Sequence, residues 1–503
     1  MATIGECIRH RARLSPQIEA VVSGDNRITF ADFNQMVNQL AHYFISHQVE
    51  KGDRIALVCN NSIPFPLLFM AAAKVGAVII PINWRLKTAE IQWILEDCKP
   101  CMLFYHEEFE QVEPLLNLPF LKQAICVGTG ERIYDSFRER FASLPPTEPT
   151  VLVLEEDPAL IIYTSGTTGK PKGVICTHRN VYNACLSNNN TLDLRMGDRF
   201  LFVTPLFHIS GMIFTVGVCV RGITLVLGTQ FHPVEIWNQI EKERVTAMMS
   251  VPSMLPYMLQ TLQARESDPL SLRWILCGGS LVPTQLIHAF NEMGYPIAQV
   301  YGATEYSGAI TYWIPEMGIE NCGSVGKAVY LTELKIVDPT TNEAVPPGEM
   351  GEVVCRGDLI FSGYWNNPEA TEEVIQNGWL HTRDVGWMDE EGFLYIVDRL
   401  RDMIITSGEN VFPAEVEAVI QQLDQVAESA VVGVKHDVWG ELARAYIVQT
   451  EGGTLTEEQV LAHVHQHLAE HKLREVVFVG ELPRNGMGKV MKYVLRDHAV
   501  QEI

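Results

Sequence analysis

Before residue 320, short unbroken apolar runs alternate with stretches of helical period. The runs 54–59, 76–82, 200–204, 223–227, 247–251, 274–277 and 297–300 predict strands, and a stretch up to Lys74, Pro233–Glu243 and 283–292 predict helices. A strand without polar alternation is buried on both faces, so these runs predict parallel sheets covered by helices. After residue 320 the pattern changes to short strands at 334–337, 351–356 and 393–397, punctuated by turns such as Pro346-Pro347-Gly348. The charged segment Asp398-Arg399-Leu400-Arg401-Asp402 then interrupts the chain. Beyond it a compact α+β pattern follows: helix 413–423, strands 430–434 and 443–449, helix 457–471. The expected fold class is α/β, with a domain boundary at Asp398 that separates 1–398 from 399–503.

At 503 residues the chain exceeds what one core ordinarily covers, which agrees with two or more domains. Sixty-one acidic against 38 basic residues give a net charge of −23, which argues against nucleic acid as a partner. Nucleotides remain open, since they need only a local set of donors. Residues 1–7 lack the charged and apolar regions of a signal peptide. The apolar stretch 209–220 is too short to span a bilayer, so no integral membrane segment is expected. Eleven scattered cysteines fit small buried hydrophobes in a reducing compartment, and the cytoplasm is expected. Cys98 and Cys101 form a CxxC without a second ligand pair. His463, His467 and His471 share a face of the predicted helix 457–471, beside a stripe of Val460, Val464 and Leu468, where a solvated flank is the expected reading.

The most informative segment is 163–173, Tyr-Thr-Ser-Gly-Thr-Thr-Gly-Lys-Pro-Lys-Gly. Glycines let backbone N–H groups turn inward as an anion-binding nest, hydroxyls add donors, and Lys170 and Lys172 add charge. A Walker A loop is excluded by spacing: two residues separate Gly166 from Gly169, and Pro171 follows Lys170. The segment resembles the phosphate loop of the acyl-adenylate-forming superfamily, which includes acyl-CoA synthetases, firefly luciferase and peptide-synthetase adenylation domains. That resemblance implies a large N-terminal domain of two doubly wound α/β subdomains plus a β-rich module, and a small mobile α+β C-terminal domain. It also implies ATP, Mg2+ and CoA as co-substrates and cofactor. Thr164, Ser165, Gly166, Thr167, Thr168, Gly169 and Lys172 would hold phosphates, with Thr164 also near the metal.

Further motifs resemble the same family. In Gln299-Val300-Tyr301-Gly302-Ala303-Thr304-Glu305, Tyr301 would stack on adenine beside Gly302 and Ala303. Thr304 would then donate to the α-phosphate and Glu305 would hold the metal through oxygen. Gly279 and Ser280, after Cys277 and Gly278, look like the loop covering adenine's other face. His208, in Pro205-Leu206-Phe207-His208-Ile209-Ser210-Gly211, would gate the passage between acid pocket and thiol tunnel. Thr382-Arg383-Asp384 resembles the family's Thr-Gly-Asp, with arginine in place of glycine; Asp384 and Arg399 would bind ribose. Asp398 matches the hinge, Ser407-Gly408-Glu409 the loop bordering the pantetheine tunnel, and Lys489 the catalytic lysine.

The expected pocket lining, Phe207, His208, Ile209, Gly278, Gly302, Ser307, Gly308 and Ala309, carries no cation for a second carboxylate. Gly302 replaces the tryptophan floor of short-acid activators, which leaves a longer pocket. The expectation is an acid–CoA ligase for a medium- or long-chain fatty acid. The alternatives are an aryl or arylpropenoic acid, or a free-standing adenylation enzyme that loads a carrier protein.

Overall fold

The computed structural model describes residues 3–128, 133–164, 171–264, 271–406, 409–436, 438–484 and 490–501. The chain divides into two compact units, Met1–Leu334 with Cys355–His381, and Lys335–Val354 with Thr382–Ile503.

Among its described residues, the first unit holds two mixed sheets. One has nine strands, ordered Lys327–Ala328, Gly308–Trp313, Ile297–Ala303, Trp274–Gly278, Ala247–Ser250, Arg199–Phe202, Thr224–Leu227, Glu19–Ser23, Asn26–Thr29. The strands from Ile297–Ala303 to Glu19–Ser23 are parallel to their neighbours, and antiparallel strands close both edges. The other has seven, ordered Gly363–Tyr364, Lys172–Thr177, Pro158–Thr164, Val78–Pro81, Arg54–Val58, Met102–Tyr105, Gln123–Cys126. Unbroken apolar runs fold into such sheets because both faces are covered. Ile55 and Leu57 join the larger apolar core, while Ala56 and Val58 point into a separate one with Ile91, Ile94 and Leu95 of helix Thr88–Cys98. The strands predicted in this unit are all found, with ends shifted by up to three residues, and Pro233–Glu243 is a helix with those bounds.

The second unit contains the hairpin pairing of residues 384–388 with Leu394–Arg399 and a five-stranded sheet built on the long hairpin Val426–His436 with Gly440–Gln449. Val431, Ala443, Ala445 and Ile447 pack against the helices Pro413–Ile420 and Glu457–His467, and Ala430, Val432 and Tyr446 face the opposite core with Leu495. The helix expected to reach residue 471 ends at His467, because Leu468 turns extended and a short 3-10 turn, Glu470–Lys472, follows. The histidine flank is therefore not simply a wet face. His463 and His465 are half-buried against the carbonyls of Val419 and Leu473, and His471 pairs with Glu409 at 2.9 Å.

Ten of the eleven cysteines are buried and Cys126 is half-buried, and none is in a disulfide. Burial pushes the Cys98 thiol up to about 12 and Cys101 up to about 11, so both stay protonated and unreactive at neutral pH. Among the described residues, no helix is long and apolar enough to cross a membrane.

Candidate active site

The phosphate-loop segment sits between two antiparallel strands, with Tyr163 opposite Gly173 and Thr164 opposite Lys172. Ser165, Gly166, Thr167, Thr168, Gly169 and Lys170 lie outside the described residues. The flanking strands make this a hairpin connection rather than a strand-to-helix turn. Gly173 is needed for packing: a Cβ there would come within 2.8 Å of Ile161 and 3.1 Å of Trp365 and Tyr163. The Tyr163 hydroxyl donates to Asp97 at 2.5 Å.

Strand Ile297–Ala303 ends in a 3-10 turn, Thr304–Tyr306, before returning as Gly308–Trp313. This is the carboxyl end of a strand in an open sheet, where ligands of such folds bind. Tyr301, Ala303, Thr304 and Glu305 are partly exposed there. Lys172 brings the hairpin to the same place. Its Nζ lies 5.1 Å from the Tyr364 ring centre, and the Tyr364 hydroxyl donates to Glu305 Oε1 at 2.9 Å. A carboxylate and threonine hydroxyls are hard oxygen donors, the set that suits Mg2+.

The glycines expected to line the acid pocket have backbone reasons of their own. A Cβ on Gly302 would meet the Gly308 carbonyl oxygen at 2.0 Å, and one on Gly278 would meet Val300 Cγ1 at 2.3 Å. Close strand pairing alone therefore requires glycine at 302. Ser307 is fully buried in a left-handed conformation, φ +50°, with its hydroxyl 3.5 Å from Cys176 Sγ. Gly279, φ +91°, and Ser280 are exposed after the strand Trp274–Gly278.

The loop carrying Phe207 and His208 leaves strand Arg199–Phe202 and enters helix Ile209–Arg221. Sequence reasoning missed the residue that shapes it. Buried Asn61 donates to the carbonyls of Thr204 at 2.9 Å and Gly228 at 3.1 Å, and accepts from Leu206 N–H at 2.8 Å. Gly211 lets the helix start against this loop, since a Cβ would lie 2.4 Å from the Leu206 carbonyl oxygen. His208 is half-buried with its ring 4.4 Å from Phe207. Desolvation, and then the Arg85 charge, push it down to about 4, so the imidazole is neutral at pH 7. Arg85 was also missed, and it places a cation near a lining expected to have none.

In the second unit, Arg399 Nε reaches Asp384 Oδ1 at 2.7 Å across the hairpin in which the two residues pair. Thr382 Oγ1 donates to the Val353 carbonyl and accepts from Asp384 N–H, which fixes the turn. Arg383 sits between them at φ +61°, with its N–H on Glu352 Oε1 at 3.0 Å. Asp398 Oδ2 accepts from Ala414 N–H at 2.8 Å, serving the amino end of helix Pro413–Ile420. Ser407, Gly408 and Lys489 lie outside the described residues, and the Glu409 carboxylate stands 2.9 Å from His471 Nε2. A cleft of about 390 Å³ opens between His436, Trp439, His465 and Arg474. There the Arg474 guanidinium stands 4.0 Å over the Trp439 ring, and its buried Nε has no hydrogen-bond partner among the described residues. No periodicity along the chain marks this cleft, because its parts come from separate elements.

The AMP-binding enzyme family matches residues 8–365, and the AMP-binding enzyme C-terminal domain matches 415–489. A long-chain-fatty-acid–CoA ligase of Mycobacterium tuberculosis, FadD13, is 38% identical over 504 residues, covering 99% of this chain and 98% of that protein. A feruloyl-CoA synthase of an Amycolatopsis species is 34% identical, covering 97% of each. The structure of o-succinylbenzoate CoA synthetase (MenE) from Bacillus subtilis, in complex with its acyl-adenylate intermediate, matches with a TM-score of 0.87 and 32% identity over 98% of each chain. With its large N-terminal and small C-terminal parts and its mixed α/β sheets, this chain belongs to the family of AMP-binding enzymes.

Proposed function

We propose that the chain is an ATP-dependent acid–CoA ligase that acts on a medium- or long-chain fatty acid in the cytoplasm. The observation that carries the reading is the meeting of Lys172, from the phosphate hairpin, with Glu305, from the strand end, on either side of Tyr364. A loop rich in donors and a carboxylate at one place suit a polyphosphate with a hard cation.

The chemical problem is that a carboxylate is a poor electrophile for a thiol. In the first half-reaction a carboxylate oxygen of the acid attacks the α-phosphorus of ATP, and the bond to pyrophosphate breaks. Glu305 and Thr164 would hold Mg2+, which would supply neutralisation of charge on the phosphate oxygens. Lys172 and the loop donors bind the phosphates, Thr304 donates to the α-phosphate, and Lys489 orients the carboxylate for in-line attack. Tyr301, Gly302 and Ala303 take one face of adenine, Gly279 and Ser280 the other, and Asp384, steadied by Arg399, takes the ribose hydroxyls. In the second half-reaction the CoA thiol attacks the acyl carbon, and AMP leaves. Neutral His208 gates the thiol's approach as an uncharged ring, and Ser407, Gly408 and Glu409 border the pantetheine arm. The cleft by Trp439 offers the Arg474 guanidinium, backed by the indole ring, which suits the phosphate-bearing nucleotide end of CoA. Asp398 is the proposed pivot between residues 1–398 and 399–503.

Phe207, Ile209 and Gly308 favour an apolar acid. The Arg85 charge felt at His208 gives a specific reason to keep a second reading, an aryl acid with a polar or charged substituent. A panel of fatty, arylpropenoic and succinylated aryl acids, assayed for pyrophosphate release and for acyl-CoA with free CoA, tests both. Fatty acids of eight or more carbons should give the highest kcat/KM. A higher value for an aryl acid selects the second reading, and pyrophosphate release without acyl-CoA would identify a carrier-protein loader.

A further inference from the structure

We propose that Tyr364 is a positioning residue for Glu305, orienting its carboxylate for the metal–nucleotide complex; this rests on the reading of Glu305 given above. Glu305 lies in the turn Thr304–Tyr306, which extends a strand of the nine-stranded sheet. Tyr364 belongs to the short edge strand of the seven-stranded sheet, where it pairs with Val174. The segment 361–364 grips Glu305 twice. Phe361 N–H donates to its backbone carbonyl at 2.9 Å, and the Tyr364 hydroxyl donates to Oε1 at 2.9 Å. A glutamate side chain has three torsions to order, and a fixed hydrogen bond on one oxygen selects among its rotamers.

Tyr364 is itself held in place. Its N–H donates to Thr371 Oγ1 at 2.8 Å, that hydroxyl donates on to the Asn367 carbonyl at 2.9 Å, and the Phe361 ring packs edge-on at 4.9 Å. Gly363 precedes it at φ +137°, with Thr371 Cγ2 only 3.0 Å from where a Cβ would stand. Lys172 Nζ over the other part of the ring puts a phosphate-loop cation on the same side chain. Tyr364 therefore couples the lysine's position to the carboxylate's.

Tyr364→Phe removes only the hydroxyl and keeps the ring for Phe361 and Lys172, so thermal unfolding should be unchanged. Mn2+ binding in the presence of a non-hydrolysable ATP analogue, followed by the electron paramagnetic resonance of the unbound ion, should weaken by about 10–100-fold, as for groups that orient a metal's ligand. The half-saturating Mg2+ concentration of the reaction should rise in parallel, with kcat largely restored at saturation. In a cycle with Glu305→Gln, the double variant should bind Mn2+ no more weakly than Glu305→Gln alone. Unchanged Mn2+ affinity in Tyr364→Phe, or additive losses in the double variant, overturns the proposal while leaving Glu305 as ligand. Unchanged affinity in Glu305→Gln overturns the proposal together with the reading of Glu305 beneath it.

Discussion

Arg383 occupies a backbone conformation that favours glycine, and its φ of +61° explains why the resembling motif carries glycine there. An L side chain in this region costs about 1–2 kcal/mol, and the strain persists because the Glu352 carboxylate and the Thr382 hydroxyl accept from the Arg383 and Asp384 N–H groups and that hydroxyl donates to the Val353 carbonyl. The guanidinium is exposed, so ion pairs it makes return little. Arg383→Gly should therefore stabilise the protein by about 1 kcal/mol, read as a higher midpoint in thermal unfolding, with nucleotide affinity within about threefold of wild type. A lower midpoint would show that the arginine side chain contributes more than the strain costs. Gly302 illustrates the reverse case. Replacing it to shorten the acid pocket would drive a Cβ into the Gly308 carbonyl, so lost activity there reports on the strand pair before it reports on chain length.

At the scale of elements, the loop between strand Arg199–Phe202 and helix Ile209–Arg221 is shaped by a residue distant in sequence. Asn61 satisfies the Thr204 and Gly228 carbonyls and the Leu206 N–H with one buried amide. Asn61→Ala leaves these groups unpaired in an apolar surround, and each costs about 1–3 kcal/mol. The expected outcome is a loss of about 3 kcal/mol or more, from three such groups, and a KM for the acid raised more than the KM for ATP. Equal changes in both would mean that the loop does not shape the acid pocket. The contrast between legible and illegible parts follows from the range of the forces involved. Unbroken apolar runs announced the buried strands because burial on both faces is a local requirement on composition. Val426–His436 and Gly440–Gln449 extend past the apolar runs 430–434 and 443–449 because backbone pairing continues to Lys435 and Glu441 and beyond. Asn61 and Tyr364 act on partners 143 and 59 residues away, and such pairings leave no periodic trace. Phosphate-loop and strand-end residues were visible because their chemistry lies in contiguous words.

For the molecule as a whole, two buried histidines outside the proposed chemistry set a pH limit on stability. His106 is 1% exposed and His178 is fully buried, and desolvation lowers each from 6.5 to about 4. Both rings use Nδ1 as an acceptor, from Asn60 N–H at 3.3 Å and from Ile4 N–H at 3.2 Å. Protonation would turn that acceptor into a donor facing a donor, which adds to the cost of a buried charge. Glu108, 3.9 Å from His106, is exposed and does not offset the burial. The folded state therefore resists a proton that the unfolded chain accepts. Stability from these groups is fully present above pH 6.5, falls as the pH drops below it, and is gone by about pH 4. Each group contributes up to about 3 kcal/mol across that window. Thermal midpoints from pH 7.5 to 4 should fall steeply below pH 6.5, and His178→Gln should flatten the fall while lowering the midpoint at pH 7.5. A wild-type midpoint that stays level down to pH 5 would show that neither ring is held neutral by the fold.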